Sequence, residues 1–305
     1  MRDAYRAAAL FIALLALMLA APGYPRYEAA YALALGLAIL GAVLLLDAGL
    51  VNFGYGMYIA AGAYAAALLY KHMKITDIAI TLPLAAAVGG LLGFATGLAT
   101  SRIRGIFYAL MTLAFSMVIY GVLVKFYYFT GGSDGVTIAR VTALGARLGD
   151  LHVAALAAAL AALALWFRAK FLATALGHIA RGIRENELRL VALGVDTGRA
   201  VALISALAGT WGGLSGALIA YLTLHVSPDL SFWSYSGFVV IGALIAQAAS
   251  PLYGFLVGAA ASRALNLAAY YGSAYYPGAY DLAIGGGLLA TYAAIIAARR
   301  YATGR

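Results

Sequence analysis

Few side chains in this sequence have the type and spacing that catalysis needs. Residues 213–216, Gly-Leu-Ser-Gly, match the G-x-S-G arrangement around the nucleophilic serine of some intramembrane proteases. A serine nucleophile needs a base within hydrogen-bond reach, and none of the four histidines lies in the A-H-x-x-G context that would supply one. Packing glycines that happen to flank Ser215 explain the motif better, so the sequence argues against an intramembrane serine protease.

Nucleotide and metal chemistry lack their residues as well. No lysine follows a glycine, so the chain has no G-x-x-x-x-G-K-[ST] loop to hold phosphates. No H-E-x-x-H motif occurs, and the absence of cysteine removes thiolate ligands, thiolate nucleophiles and disulfides. We therefore predict a non-catalytic protein with no cofactor and no metal site, which takes any energy it uses from a partner chain or an ion gradient.

The composition is that of a chain surrounded by lipid. Of the 305 residues, 65% are hydrophobic and only 10% are charged, whereas soluble domains carry about 25% charged residues. The net charge of +9 comes from basic residues in short loops between apolar runs, which indicates membrane topology and not nucleic-acid binding. We predict an all-α integral membrane protein with no nucleic-acid partner.

Apolar runs that approach the roughly 20 residues of a membrane-crossing helix recur along the chain. The first run fits a cleaved signal peptide or a retained helix, and the missing small-residue cleavage pattern favours retention. The pair around Ser250-Pro251 fits one bent segment or two spans joined by a tight turn. About ten spans result, at residues 7–22, 29–46, 50–70, 78–100, 105–127, 151–168, 200–222, 233–249, 251–270 and 282–298.

The distribution of basic residues predicts the orientation. With ten spans and the N-terminus inside, most Lys and Arg residues fall in cytoplasmic segments, as the positive-inside rule requires. Residues 1–305 then form a single transmembrane domain with a cytoplasmic N-terminus and a cytoplasmic C-terminus. Two long connections remain, an extracytoplasmic loop at 128–150 and a cytoplasmic loop at 169–199.

The cytoplasmic loop contains a predicted amphipathic helix at residues 176–194. Charged residues such as Arg184 and Glu185 project away from its apolar positions, and Gly194 is a natural helix stop. Such a helix packs its apolar stripe either on the membrane interface and the protein's own spans or in a groove of a cytoplasmic partner. The apolar positions are Leu176, Ile179, Ile183, Leu190 and Leu193.

Five stretches of the chain resemble motifs of the branched-chain amino acid ABC permeases, the hydrophobic amino acid uptake family. The cytoplasmic loop of that family is similar to Arg184-Glu185-Asn186-Glu187 followed by Ala192-Leu193-Gly194. The other four stretches are residues 49–56 (GLVNFGYG), 104–115 (RGIFYALMTLAF), 130–135 (TGGSDG) and 226–229 (VSPD). The motifs run in family order over about residues 35–260, which makes the resemblance specific as a set.

The resemblance implies an ABC importer permease architecture and a set of partners. The 169–199 loop would couple to cytoplasmic ABC ATPase subunits, and a second homologous permease or a homodimer partner would complete the membrane part. An extracytoplasmic solute-binding protein would dock on the 130–135 loop, although turn chemistry alone also explains that loop. The implied coupling residues are Arg184, Glu185, Asn186, Glu187 and Gly194, and the implied binding-protein contacts are Thr130, Gly131, Gly132 and Asp134.

The implied cargo is a branched-chain or other small hydrophobic amino acid. Two departures from the family pattern bear on that cargo: Tyr55 replaces the usual histidine, and Gln247 lies where the family has a glycine cluster. A permease for a related amide such as urea therefore stays open. A stand-alone secondary transporter also stays open, although ion coupling normally requires membrane-buried carboxylates and only Asp47 comes close.

The translocation pathway is predicted near the glycine-rich start of the third span. Dense glycine there fits a discontinuous helix that frees backbone groups for a polar solute, and it equally fits close packing of small residues. The repeated patterns Gly89-Gly93-Gly97, Gly209-Gly213 and Gly212-Gly216 are assigned to helix packing. The candidate pathway residues are Asn52, Gly54, Gly56, Thr112 and Phe115.

Overall fold

The computed structural model describes residues 23–143 and 145–249, together with positions 286 and 293. Within these residues the chain is mostly helical, and five helices are long and apolar enough to cross a membrane. A shorter apolar helix covers Trp233–Gln247. This is the architecture of a multi-pass membrane protein. The five long spans are Arg26–Asp47, Ile78–Ala99, Gly105–Lys125, Asp150–Phe171 and Thr197–Thr223.

The described chain is a series of helices, and two of the connections between them contain short strands and 3-10 turns. The helices are α1 (Tyr24–Asp47), α2 (Gly56–Met73), α3 (Ile78–Ala99), α4 (Gly105–Lys125), α5 (Tyr127–Thr130), α6 (Asp150–Phe171), α7 (Ala175–Ala192), α8 (Thr197–Thr223) and α9 (Trp233–Ala249). Between α5 and α6 lie a 3-10 turn (Gly132–Asp134) and the strands β1 (Val136–Thr137), β2 (Thr142–Ala143) and β3 (Ala146–Arg147). After α8, β4 (His225–Val226) leads into a second 3-10 turn (Pro228–Ser231).

The spans predicted between residues 29 and 249 each coincide with one helix. One boundary differs, because the predicted span 50–70 becomes a helix only at Gly56. The Asn52 side chain accepts a hydrogen bond from the Gly54 N–H at 2.8 Å, which holds this stretch in a turn. The predicted spans 7–22, 251–270 and 282–298 lie outside the described residues, so the total of ten and the orientation of the termini stay predictions.

Helix α1 is the most buried of the five long spans. Of its most apolar window, 83% is buried inside the protein, and it packs against α6, α8 and α9. Ser215 in α8 is fully buried and donates a hydrogen bond to the Ala34 carbonyl of α1 at 2.6 Å. The serine of the G-x-S-G sequence therefore joins two helices, as the packing interpretation predicted.

Helices α3 and α8 are joined by closely spaced glycines. A Cβ atom added to Gly89 would collide with the Gly209 carbonyl, and one added to Gly93 would collide with the Ser205 carbonyl. In the reverse direction, a Cβ atom on Gly213 would meet the backbone of Ala85. The missing side chains let the two backbones touch, which is how small residues pack membrane helices. The packing role predicted for these glycines is confirmed.

The helix bundle has two distinct ends. At one end β1 pairs with β4 and β2 pairs with β3, both antiparallel, and Lys71 near the end of α2 donates to the carbonyls of Tyr128 and Phe129. We call this the sheet end. Helix α7 lies at the opposite end, beside the end of α1 and the start of α4, and we call this the α7 end.

Candidate functional site

Residues 48–55 form an irregular segment that runs from the α7 end into the middle of the bundle. Gly49 lies against the backbone of Arg184 in α7. Seven residues later α2 begins, and the Tyr55 hydroxyl just before it donates to the Ala208 carbonyl at 2.6 Å. Ala208 lies near the midpoint of α8, so α2 starts deep inside the bundle. The first residues of the predicted third span are therefore a non-helical connection between α1 and α2, and its glycines also pack closely, as the alternative interpretation expected.

A second irregular segment, residues 227–232, enters the bundle from the sheet end. It begins beside Val226, which pairs with Val136 across β1 and β4. It reaches Ser231, which is fully buried against Ser116 in the middle of α4. In the sequence, residues 226–229 stand out only as part of the family resemblance. No local pattern indicates that the residues following them enter the interior.

The two irregular segments meet at the N-terminus of α2. The backbone N–H of Gly56 donates to the Ser236 hydroxyl in α9 at 2.9 Å. A Cβ atom on Gly56 would lie 2.5 Å from the Leu230 carbonyl oxygen, so only glycine lets the segments approach this closely. We call this region the central junction; it consists of Asn52, Gly54, Gly56, Thr112, Ser116, Leu230, Ser231 and Ser236.

Within the central junction, Asn52 shapes the backbone from a buried position. Its side chain is 2% exposed, and besides accepting from Gly54 it contacts the Tyr58 hydroxyl at 3.4 Å. The Tyr58 hydroxyl in turn contacts the Thr96 hydroxyl of α3 at 2.7 Å. Asn52 thus links the irregular segment to α2 and α3 by hydrogen bonds, which fixes the entry of the chain into the junction.

Gly54 and Thr112 bring the irregular segment onto α4. A Cβ atom on Gly54 would collide with the Thr112 carbonyl, so the two backbones are in direct contact. The Thr112 hydroxyl donates to the Tyr108 and Ala109 carbonyls of its own helix. Phe115, the fifth candidate from the sequence, is only partly buried and packs at the edge of the core.

The central junction offers neutral hydrogen-bonding groups to a solute. Its members are hydroxyls, an amide and backbone carbonyls, none of which carries a formal charge. Non-helical backbone at membrane depth is tolerated only where protein or a water-filled cavity surrounds it, and broken helices of this kind form the midplane sites of many transporters. The side-chain hydroxyls and the amide of the junction are engaged with protein partners in this structure, and its residues include no nucleophile–base pair for covalent chemistry.

A buried ion pair lies at the α7 end, away from the central junction. Both carboxylate oxygens of Asp47 lie 3.0 Å from Nη2 of Arg168 in α6, and the two side chains are 10% and 7% exposed. The contact pairs the charge of Asp47 with that of Arg168, and it joins α1 to α6. Asp47 is not a free carboxylate for proton or ion coupling.

Helix α7 is amphipathic and consists of two parts. The Thr174 hydroxyl caps its start by accepting from the Gly177 N–H, and Gly177, Ala180 and Ile183 form its buried face. At Asn186 the backbone leaves the helical region, with φ −161° and ψ 94°. The sequence predicted one continuous helix over 176–194; the structure places a kink at Asn186, whose side chain accepts from the Arg189 N–H beyond it.

Glu187 faces the protein's own α4 start. Its carboxylate accepts two hydrogen bonds from Arg104, at 2.6 Å from Nη2 and 2.8 Å from Nε. Burial raises the pKa of Glu187, but hydrogen bonds from Arg104 and Thr197 and the charge of Arg104 outweigh it, so the pKa lies below its ordinary value of 4.5. Sequence reasoning did not pair Arg104 with Glu187, because nothing in one sequence links positions 83 residues apart.

The remaining candidate coupling residues present a surface at the α7 end. Arg184, Glu185 and Asn186 are exposed, and Gly194 ends the helix with φ +81°. Three large apolar side chains beyond the kink are also exposed, which is costly in water unless something covers them. They are Leu188 at 81%, Val191 at 53% and Leu193 at 73%.

The candidate binding-protein contacts lie at the sheet end. Thr130 is 4% exposed, and its hydroxyl donates to the Phe126 carbonyl of the preceding turn. Gly131 and Gly132 have φ +83° and +62°, a left-handed conformation that favours glycine. Asp134 is exposed. The loop is thus a tight glycine turn that presents one carboxylate to solvent.

The comparisons with known proteins agree with one another. A family model described as branched-chain amino acid transport system, permease component, matches residues 26–294. The high-affinity branched-chain amino acid transport system permease protein LivM of Salmonella typhimurium strain LT2 is 28% identical over 219 residues, and LivM of Escherichia coli strain K12 is 28% identical over 217 residues. Each alignment covers 63% of this chain and 51% of the relative, so the chain spans about half the length of these curated relatives. No solved structure shows a significant match to the chain.

Proposed function

The chain belongs to the family of branched-chain amino acid transport permeases, and from that premise we propose that it is the membrane-spanning subunit of an ATP-binding-cassette importer. It is a multi-pass protein of the cell membrane and of a non-catalytic subunit type. The proposed cargo is a branched-chain or other small hydrophobic amino acid; the names of the family and of both LivM relatives specify branched-chain amino acids. ATP hydrolysis takes place in partner ATPase subunits.

One observation carries the coupling part of this proposal: α7 contacts both the irregular segment 48–55 and α4, two of the elements that contribute residues to the central junction. Arg184 packs on Gly49, where the irregular segment 48–55 begins, and Glu187 holds Arg104, where α4 begins. The two segments then meet again where Gly54 lies on Thr112. A displacement of α7 would therefore move both sides of the junction together as nearly rigid bodies.

The exposed part of α7 is the proposed docking surface for the ATPase. Its apolar side chains Leu188, Val191 and Leu193 would supply affinity in a groove, while neighbouring Arg184 and Glu185 would fix the register. Burial against the membrane interface remains the alternative for the same side chains. The ATPase is favoured because exposed charges of both signs surround the apolar residues.

The central junction is the proposed pathway, and the sheet end is the proposed outer face. Asn52, Gly54, Gly56, Thr112 and Phe115 keep their assignment as pathway candidates on the strength of the broken backbone at membrane depth. The turn at Thr130, Gly131, Gly132 and Asp134 would receive the solute-binding protein. A second homologous permease, or a second copy of this chain, would complete the membrane part.

A secondary transporter is the competing proposal. Ion-coupled transport usually needs a carboxylate that can load and release its ion inside the membrane. Among the described residues Asp47 is the carboxylate nearest to that description, and Arg168 neutralises it. The neutral central junction likewise favours a mechanism in which the energy comes from outside the chain.

Co-purification tests the proposal directly. We expect affinity-tagged protein, extracted from its native membrane in mild detergent, to carry ATPase chains and either a sibling permease or a second copy of itself. In vesicles of the same membrane, leucine uptake should require ATP and persist after the proton gradient is collapsed. Uptake that survives ATP depletion and disappears with the gradient would instead establish the secondary transporter.

A further inference from the structure

Ser116 and Ser231 hold α4 to the irregular segment 227–232 by a reciprocal pair of hydrogen bonds. The Ser116 hydroxyl donates to the Ser231 carbonyl at 2.7 Å, and the Ser231 hydroxyl donates to the Ser116 carbonyl at 2.9 Å. Both residues are fully buried, and their hydroxyl oxygens lie 3.4 Å apart. We call this pair of contacts the serine clasp.

Helix α4 has few other attachments within the described part of the protein. Its buried residues are Tyr108, Thr112 and Ser116, which form one stripe with four-residue spacing. Only 17% of its apolar window is buried there, against 72% for α8. The serine clasp is thus one of the main contacts that keep α4 against the irregular segment 227–232.

The chemistry of the clasp suits a contact that opens and closes. A neutral hydrogen bond contributes little net free energy when water or a polar solute can take the place of the partner. The seam between α3 and α8 is different, because Gly89 and Gly93 place two backbones in continuous contact along several turns. Separation at α4 loses less packing than separation at that seam.

Helix α4 is also attached to α7 at its start, so a displacement of α7 can be transmitted to it. Arg104, bound to Glu187, immediately precedes Gly105, which has φ +60° and no atom within 4 Å of an added Cβ. The space beside Gly105 is therefore open, which leaves room for this end of α4 to move. A movement of α7 therefore reaches the clasp through one ion pair and one helix.

We propose that the serine clasp is a gate of the translocation pathway, closed in this structure and opened when α4 moves away from residues 227–232. This inference rests on the proposed transport function and identifies where in the junction the pathway opens. Once parted, the two hydroxyls and two carbonyls would be available to the polar head group of a passing amino acid. Closure would restore the reciprocal bonds.

The absence of native cysteine makes a reversible lock feasible. The double variant Ser116→Cys/Ser231→Cys places two thiols where the hydroxyl oxygens now lie 3.4 Å apart, within reach of a disulfide after small adjustment. Leucine uptake would be measured in cells that express the variant with its native partner subunits. We expect the reduced variant to transport more slowly than the parent, because thiols replace the two hydroxyls, and to lose the remaining uptake on oxidation and regain it with reductant.

A second disulfide at the sheet end provides the matched control. The hydroxyls of Thr76 and Thr142 lie 3.1 Å apart, outside the central junction. Oxidised Thr76→Cys/Thr142→Cys should transport at the rate of its reduced form. The two single variants at Ser116 and Ser231 should likewise be insensitive to oxidation.

The outcomes separate this inference from the proposed function. If the parent protein shows no ATP-driven leucine uptake, the proposed function itself is refuted. If the parent transports, undiminished uptake with a complete disulfide between positions 116 and 231 would overturn the gate proposal. Failure of that disulfide to form would also overturn it. A second measurement uses Ser231→Cys alone, whose labelling by N-ethylmaleimide should be slow at rest and faster during ATP turnover. An unchanged labelling rate would also overturn the gate.

Discussion

Arg104 and Glu187 form a two-hydrogen-bond ion pair that joins the start of α4 to α7, with both side chains 26% exposed. The guanidinium fork matches the carboxylate geometrically, which makes this the strong form of a charged contact. The family motif implies that Glu187 contributes to coupling with an ATPase, and that role stays a prediction. Because its carboxylate is engaged with Arg104 inside the chain, we expect the contribution to pass through α4.

The first prediction concerns this ion pair. Glu187→Gln and Arg104→Gln should each lower leucine uptake per ATP hydrolysed, because α4 no longer follows α7, while the ATPase remains bound. The exchanged variant Arg104→Glu/Glu187→Arg should recover part of the coupling. A double-mutant cycle on thermal stability should give an interaction of about 1 kcal/mol, as for partly exposed pairs. Normal coupling in both single variants would show that this contact transmits nothing.

The second prediction is the pH dependence of the same pair. Because the pKa of Glu187 is lowered in the folded protein, its stabilisation is complete above the ordinary pKa and disappears as the pH falls through the lowered one. The stability difference between the wild type and Glu187→Gln should be constant between about pH 6 and pH 8 and shrink below about pH 4.5. In an Arg104→Gln background the same comparison should show a smaller difference at all pH values.

Hydropathy and glycine spacing predict much of this fold. The apolar runs between residues 29 and 249 correspond to helices because lipid exposure imposes one composition on all of them. The spacing of Gly89 and Gly93 predicts a packing seam because membrane helices need small residues to approach. A single sequence does not show which helix packs against a given stripe of glycines. The pairing of α3 with α8 therefore appears only in the structure.

The candidate site was harder to predict than the helices. Asn52, Gly54 and Gly56 stood out because dense glycine disfavours a continuous helix and because an amide side chain is unusual in a span. Ser231 did not stand out, since a serine after Ser-Pro-Asp is typical of a surface turn. Its burial depends on residues 227–232 folding inward against α4, a tertiary contact that no local pattern specifies.

The third prediction tests the close approach of Gly54 to α4. Gly54→Ala would force a Cβ atom into the Thr112 carbonyl, and overpacking of this kind costs about 1–3 kcal/mol or more. We expect the detergent-extracted variant to have a lower melting temperature. We expect vesicles that contain the variant to show little leucine uptake. Gly121→Ala is the matched control, because nothing lies within 4 Å of its Cβ and alanine favours the helix. Equal stability of the two variants would contradict the contact.

The fourth prediction concerns the buried pair of Asp47 and Arg168. Asp47→Asn leaves the Arg168 charge buried without its counterion, which costs about 3–5 kcal/mol in other proteins. We expect a clear fall in melting temperature. The apolar double variant Asp47→Leu/Arg168→Met should regain most of the loss, because it removes both charges together. If the double variant transports leucine as the wild type does, Asp47 has no part in ion coupling.

The fifth prediction concerns the exposed apolar residues beyond the kink in α7. Leu188 and Leu193 are 81% and 73% exposed, and side chains that contribute to binding usually become buried in a partner pocket. Leu188→Ser/Leu193→Ser should therefore reduce the amount of ATPase that co-purifies and reduce ATP-driven uptake in parallel. Met73→Ser is the control, since Met73 is 66% exposed at the sheet end and should leave co-purification unchanged. If the α7 variant retains its ATPase and only the contact of α7 with the membrane interface is lost, these leucines would belong to a membrane-facing surface. The coupling surface would then have to be sought among Arg184, Glu185 and the residues around Gly194.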